Sequence, residues 1–375
     1  MSAPTRSTHA WRSSPSDGCR EKPPTPTLNL ATANRWRFPD HAYGPPGPCQ
    51  GHGKLGEASH FPRRCPAPGR ASCYNAGATV LHLHCREADG SGSKRLSMFN
   101  EMIDRIRSAC PDMLIQVGGS ISFAPEGEGA EAKWLSDDTR HMLAELTPKP
   151  DQVTIAVNTN QMDISALMSA DDIAGTCLTR PEMFEAYRNM YFECGPVFME
   201  EHLKRLVANG IQPHFMVGDL SQLETVERLI RKGHYRGPLV LNYVAIGSGA
   251  AGTHPADLIE FARRVPDGAV LTIESVMRNV APFNAIAIAL GLHVRCGIED
   301  NLWSRKGERM TSVQQIEQMV RLAGELHRDV ASGPEAKAIY QIGTFYQSTD
   351  ETLRKLGYAP NRQPGQRGVP RWEYA

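Results

Sequence analysis

Two histidines stand one residue apart in the run Ala78-Thr79-Val80-Leu81-His82-Leu83-His84-Cys85-Arg86. On a β-strand alternate side chains share a face, so His82, His84 and Arg86 point one way and Leu81, Leu83 and Cys85 the other. Two neutral imidazoles at that spacing can ligate one metal ion. They can equally be hydrogen-bonding residues at the rim of a half-buried strand. The second chemically loaded stretch is Leu292-His293-Val294-Arg295-Cys296-Gly297-Ile298-Glu299-Asp300-Asn301. As a strand over Leu292–Ile298 it places His293, Arg295, Gly297 and Glu299 on one face. In a barrel that face leads to the mouth, where Glu299 can meet His82 and His84. Two imidazoles and a carboxylate form an open metal site with room for a substrate oxygen; the structural alternative is a Glu–Arg pair closing the rim. Asp300 follows at the strand end, a candidate base beside Arg295, and a neighbouring arginine and metal are expected to lower its pKa.

The rest of the chain must position these residues. Strand-like runs at Ala78–His84, Met113–Gly119, Gln152–Asn158, Gln212–Gly218, Leu239–Ala245, Ala269–Ser275 and Leu292–Ile298 alternate with helical patterns. The helical patterns are Leu96–Ser108, Ala130–Leu146, Pro196–Ala208, Leu220–Lys232, Ala256–Val265 and Pro282–Leu290, and Ser312–Val330 follows the last strand. Met98, Phe99, Met102, Ile103 and Ile106 recur at three and four residues, as one buried helix face requires. Repeated strand–helix units imply parallel strands joined by right-handed crossovers, either as an open doubly wound sheet or as a closed barrel. No G-x-G-x-x-G follows the first strand and no phosphate-binding P-loop occurs, which argues against nucleotide folds. The expected fold is therefore α/β, a (β/α)8 TIM-type barrel whose first strand is uncertain or missing; Leu28–Ala33 is the weak candidate for it. Gly118-Gly119 and Gly247-Ser248-Gly249 read as tight turns that could also offer backbone N–H groups to an anion.

The 375 residues carry 41 basic and 41 acidic side chains, a balance that favours neither nucleic acid nor an anionic membrane as partner. No run of about 18 apolar residues predicts a membrane span, and no apolar signal core opens the chain. Nine cysteines without a C-x-x-C pair suit reduced thiols in a cytoplasm. Residues 1–70 are rich in Pro, Gly and Arg and read as an irregular or disordered arm, or as a segment foreign to the native protein. Residues 71–345 read as the barrel and 346–375 as a C-terminal tail.

Taken together, H-L-H-C-R after one strand, G-L-H-V-R-C-G-I-E-D-N some two hundred residues later and A-G-A-T-V just before the first resemble the β-keto acid cleavage enzyme family, including the 3-keto-5-aminohexanoate cleavage enzymes. The resemblance runs from about Ala76 to Asn301, more loosely to about residue 340. It implies a (β/α)8 barrel with a divalent metal, usually zinc, that condenses a β-keto acid with acetyl-CoA and releases acetoacetate and a new acyl-CoA. It implies His82, His84 and Glu299 as metal ligands, Asp300 as general base and Arg295 as the arginine orienting it. Thr154 matches a substrate-contacting threonine, and Asn158 shares its strand face. Where the family has a serine after the second barrel strand, this chain has Gly118, with Ser120 a shifted substitute; Arg86 is a further substrate-binding candidate. Where the family typically shows the acidic pattern E-I-E-x-F-D, this chain has Pro213-His214-Phe215-Met216-Val217-Gly218-Asp219, with most of the carboxylates gone, and Met277-Arg278-Asn279 lacks the family histidine. Homo-oligomers, often tetramers, are the family's assembly. Competing expectations are a metal-dependent hydrolase or aldolase on the same barrel, for which His214 and His293 could be added ligands, and a degenerate barrel without catalysis.

Overall fold

The computed structural model describes residues 30–35, 73–85, 93, 95–118, 123–125, 131–134, 137–174, 176–247, 251–276, 280–305 and 308–365. Eight parallel strands close into a barrel: β1 (Leu30–Arg35), β2 (Val80–His84), β3 (Leu114–Val117), β4 (Gln152–Ala156), β5 (Gln212–Val217), β6 (Val240–Ala245), β7 (Val270–Ser275) and β8 (His293–Cys296). Seven of them fall within the segments expected from the sequence. The eighth, β1, overlaps the weak candidate Leu28–Ala33 and lies inside the stretch expected to be irregular. Its backbone pairs with β2, Ala33 opposite His82, and with β8, Thr32 opposite Cys296. The first strand is therefore present, and it closes the barrel between the strand that carries His82 and His84 and the strand that leads into the turn bearing Glu299.

Helices cover the outside. α1 (Leu96–Ala109) buries Phe99, Met102, Ile103 and Ile106, the three-and-four spacing of a core-facing stripe. α2 (Pro196–Ala208) starts with proline in its first turn, where a missing N–H costs nothing. α3 (Leu220–Arg231) is opened by Asp219, whose carboxylate accepts from the backbone N–H groups of Ser221 and Gln222 at 2.8 and 3.1 Å. α4 (Pro255–Arg264), α5 (Val280–Ala289) and α6 (Ser312–Glu325) complete the ring. Among the described residues no helix is long and apolar enough to cross a membrane.

Two regions depart from expectation. The helix expected over Ala130–Leu146 is replaced by a strand Ala132–Trp134 paired with Phe123–Pro125, then a helix Asp137–His141 and a 3-10 turn Met142–Glu145. Aromatic packing overrides local propensity there: the Trp134 ring lies 5.6 Å from both Phe123 and Tyr187. The segment after residue 345 is also more than a tail. It contains the helix Thr349–Lys355, with Leu353 and Leu356 buried.

The barrel floor is closed from the C-terminal side. Tyr340, behind the short helix Gly333–Ile339, is buried with Val80, Leu114, Val240 and Ala336. Above this apolar plug runs a ladder of buried amides. Gln212 Nε2 donates to the Tyr340 carbonyl at 2.7 Å, Gln152 Nε2 to Gln212 Oε1 at 2.7 Å and Gln116 Nε2 to Gln152 Oε1 at 2.8 Å. Each amide supplies what its neighbour lacks, so one truncation strands buried partners on both sides. Gln152→Ala is expected to cost roughly 1–3 kcal/mol of stability in urea unfolding; a loss below about 0.5 kcal/mol, within the range of ordinary surface substitutions, would show that the ladder is not a stabilising unit.

Candidate metal centre and active site

The C-terminal ends of β2, β3, β7 and β8 meet around one cluster. His82 and His84 face each other with Nε2 atoms 3.0 Å apart. Glu299 joins them, 3.2 Å from His84 Nε2 and 3.9 Å from His82 Nε2. Among the described residues these three form the group able to hold a metal ion. The donor separations of 3.0, 3.2 and 3.9 Å bracket the roughly 3.3 Å expected between tetrahedral ligands at bonds of about 2.0–2.1 Å. Glu299 Oε2 is buried without a hydrogen-bond partner, an atom that a cation would satisfy.

The protonation of His82 follows from the ladder beneath it. The Tyr340 carbonyl can only accept, so Gln212 turns its NH2 toward it, and the same polarity passes through Gln152 to Gln116. Gln116 Oε1 therefore faces His82 Nδ1, at 2.7 Å, and Nδ1 carries the proton. The Nε2 lone pair is left pointing at His84 and Glu299, as a ligand requires. Burial and the nearby Arg295 charge hold the His82 pKa well below its usual value, which keeps the ring neutral. Gly118 backs the pair: a Cβ there would lie 2.2 Å from His84 Cε1 and 2.9 Å from His82 Nε2. The imidazoles occupy the space that a serine at this position would use.

Glu299 reaches the site by a turn, not by strand parity. β8 ends at Cys296, and Gly297 adopts φ 148°, a conformation that favours glycine. The amide N–H groups of Asp300 and Asn301 return to the Gly297 carbonyl at 3.1 Å. α6 anchors the turn: Gln315 accepts from Gly297 N at 3.0 Å and donates to Asn301 O at 2.8 Å, while Ser312 Oγ accepts from Ile298 N at 3.3 Å.

Arg295 lies at the centre of the charges. Its Nε and Nη2 grip Asp300 in a fork at 3.1 and 2.9 Å, and Nη2 also lies 3.3 Å from Glu274 and 3.4 Å from Glu299. Arg295 is 3% exposed and Asp300 1%. Arg295 lowers the Asp300 pKa, as expected, but does not decide where it ends. Burial outweighs the arginine, Glu299 adds repulsion, and Asp300 is pushed up to about 6. Glu274 is pushed up to about 8, again chiefly by burial. Glu299 goes the other way, because His84, Arg295 and His82 together overcome its burial and hold it well below the carboxylate range. Three carboxylates against one guanidinium leave a formal charge of −2 when all are ionised, which a divalent cation would balance.

Other expected residues divide. Thr154 is buried at the cavity wall, its hydroxyl 3.5 Å from the Val117 carbonyl. Asn158 falls beyond the end of β4 in a left-handed turn, φ 64°; it does not line the cavity, and Asn160 does. Arg86, Ser120, Gly119, Ser248, Gly249 and Met277-Arg278-Asn279 lie outside the described residues. His214 is bound within the barrel to Gln116 at 2.9 Å, and His293 packs near the Tyr340 ring on the floor, centroids 6.1 Å apart. Neither joins the His82–His84 pair, so the added ligands of a hydrolase-type barrel are not assembled. Asp219, the surviving acid of its segment, is committed to capping α3.

Sequence reading missed Glu274 and Gln116. Each is a large polar residue buried within a barrel strand, a costly placement unless it is paired; Gln116 stands opposite His82 in register. It also missed the cap over the mouth. Between β4 and α2, a hairpin of Asn160–Met162 with Met190–Phe192 encloses short helical turns, including Ala170–Ile173 and Pro181–Arg188. Trp303 Nε1 donates to Asp172, fastening this cap to the segment after Asp300. The cavity beneath it measures about 250 Å³ and runs from the His–Glu cluster to the cap.

A closed eight-stranded parallel barrel with its polar cluster at the C-terminal strand ends is a TIM-type barrel with its reactive mouth in the usual place. The chain belongs to the beta-keto acid cleavage enzyme family, whose model matches residues 67–342. It is 31% identical over 275 residues to the 3-keto-5-aminohexanoate cleavage enzyme of Acetoanaerobium sticklandii, covering 72% of this chain and 86% of the relative. It is 24% identical over 299 residues to the 3-dehydrocarnitine:acetyl-CoA trimethylamine transferase of Rhizobium meliloti, covering 75% and 89%. Among solved structures, apo ObcA superposes with a TM-score of 0.55 at 12% identity, covering 73% of this chain and 64% of ObcA. The chain thus spans just under two thirds of the length of ObcA, and that likeness supports the fold alone.

If Gln116 sets the His82 tautomer for a metal, Gln116→Leu should weaken metal binding about 10- to 100-fold in chelator competition while the thermal transition persists. Unchanged affinity would separate the ladder from the metal site.

Proposed function

We propose that this protein is a divalent-metal-dependent β-keto acid cleavage enzyme, an acyltransferase that takes a β-keto acid and acetyl-CoA to acetoacetate and a new acyl-CoA. The observation that carries the reading is the His82–His84–Glu299 cluster set against the Arg295–Asp300 fork in one cavity. Relatives whose names specify acetyl-CoA transfer support the co-substrate. The two-imidazole, one-carboxylate set suits zinc best; the cysteine pattern suits a cytoplasm, and the resemblance implies a homo-oligomer.

A divalent ion held by His82, His84 and Glu299 would supply Lewis-acid stabilisation for negative charge developing on a substrate oxygen. Asp300 takes the proton from C2 of the keto acid. Its pKa near 6 leaves it ionised at neutral pH yet more basic than an exposed aspartate, which suits a general base. Arg295 holds both Asp300 oxygens and leaves each a further lone pair for the proton. The C2 carbon then attacks the acetyl-CoA carbonyl, a C–C bond forms and CoA thiolate leaves. The thiolate adds to the original ketone, the old C–C bond breaks, and the proton returns to C2 of the departing acetoacetate. Thr154 is positioned at the cavity wall to meet the substrate.

Asp300→Asn should retain full metal content and lose about 100-fold or more in turnover, followed as acetoacetate formed from acetyl-CoA and a β-keto acid. His82→Ala or His84→Ala should lower bound metal. Retained activity in Asp300→Asn removes the base assignment, undiminished metal in both histidine variants removes the ligand set, and turnover without acetyl-CoA replaces the transferase reading with a hydrolase or aldolase.

A further inference from the structure

The cavity between the polar cluster and the cap is walled by hydrocarbon and thioether. Met162, Met168 and Met190 come from the cap, Met216 from β5, and Ile164 and Leu178 stand beside them. Among the described residues, outside the cluster around Arg295 and the His pair, three lining side chains, Asp172, Arg140 and His202, can carry charge, and each touches a neighbour. Asp172 accepts from Trp303 Nε1 and from Ser169 N and Oγ, both at 2.7 Å. The Arg140 guanidinium lies 3.8 Å over the Phe198 ring, with Nη1 3.8 Å from Cys194 Sγ. His202 is buried against His141, 3.2 Å between Nδ1 atoms, and stacks on Phe198.

We infer that the β-keto acid taken here carries an uncharged, apolar chain on its ketone side. The inference rests on the proposed function, because that reading anchors the carboxylate and ketone at the His82–His84–Glu299 end. From there the rest of the acid must run along Met216 toward the cap. A charged chain would lose its water along a mostly apolar wall whose charged groups, Arg140, Asp172 and His202, already engage other side chains, whereas an alkyl chain gains by burial. Methionine is unbranched and adaptable, so four of them accommodate chains of differing length and shape better than they define one.

The test uses the metal-loaded full chain with acetyl-CoA and four acids: 3-oxohexanoate, 3-oxooctanoate, 3-keto-5-aminohexanoate and 3-oxoadipate. Acyl-CoA formation is followed, and binding of each acid is measured separately by calorimetry without acetyl-CoA. The apolar acids should exceed both charged ones in kcat/KM by about tenfold or more and bind more tightly. A charged acid as the best substrate overturns the inference and leaves the acetyl-CoA reading standing, 3-oxoadipate then pointing to Arg140 as its partner. Preferential binding of the apolar acids with turnover of none supports the inference and overturns that reading. Equal binding of all four overturns the inference. Met216→Glu should shift the ratio toward the amino acid, with Met216→Gln as the uncharged control; a ratio unchanged in a folded Met216→Glu protein removes Met216 from the chain's path and counts against the inference.

Discussion

A single buried guanidinium governs the mouth of this barrel. Removing a charge from water costs several kcal/mol, and Arg295 is compensated only because Asp300, Glu274 and Glu299 converge on it. The compensation is excessive, and the excess is the useful part. One carboxylate is shared with two imidazoles, one is gripped in a fork and pushed up toward neutrality, and the third takes up a proton readily. Three chemically similar groups acquire three different protonation behaviours from where each stands relative to one arginine. Replacing Arg295 would leave the acids without a counter-charge, so position and charge state of the whole cluster depend on it.

The second constraint is the tilt of the strands. His82, Gln116, Gln152 and Gln212 are register partners on four adjacent strands. In a barrel, strands tilt and stagger, so such a row climbs relative to the axis. The row begins at the floor, where Gln212 meets the Tyr340 carbonyl, and ends at the mouth, where His82 presents Nε2 to Glu299. A hydrogen-bond polarity set by one backbone carbonyl at the base is thereby delivered to a ligand atom at the top. The C-terminal segment that plugs the floor thus also orients the reactive end.

The legibility of the chain divides along physical lines. Strands β2 to β8 were readable because buried parallel strands are short apolar runs between polar helices, and α1, α2, α3 and α6 because their apolar stripes recur at helical spacing. The His82–His84 pair and the Arg295–Asp300 stretch were readable because costly polar residues interrupt those runs at strand ends. Gln116 interrupts its strand in the same way but alone, and the neighbours of Glu274, Thr272 and Ser275, are small hydroxyls that give no charged partner to mark it. The Arg295–Asp300 pairing is legible in the sequence, whereas the burial that outweighs the arginine is not. The cap could not be read at all: its pieces are too short for periodicity, and Trp134, Phe123 and Tyr187 determine its packing from three separate segments. β1 was weak in sequence because its neighbours, β2 and β8, and not its own pattern, define its place.

Floor and cap divide the labour. The floor and its amide ladder set the tautomer and position of His82. The cap's methionines stand at the far end of the cavity from the His–Glu cluster. On β5 the stretch Pro213–Asp219 lacks the acidic pattern that the family resemblance leads one to expect. His214 turns inward to the ladder and Met216 turns to the cavity. Neither side chain is among the partners of Arg295, so the charge balance at the mouth is independent of what stands at these two positions.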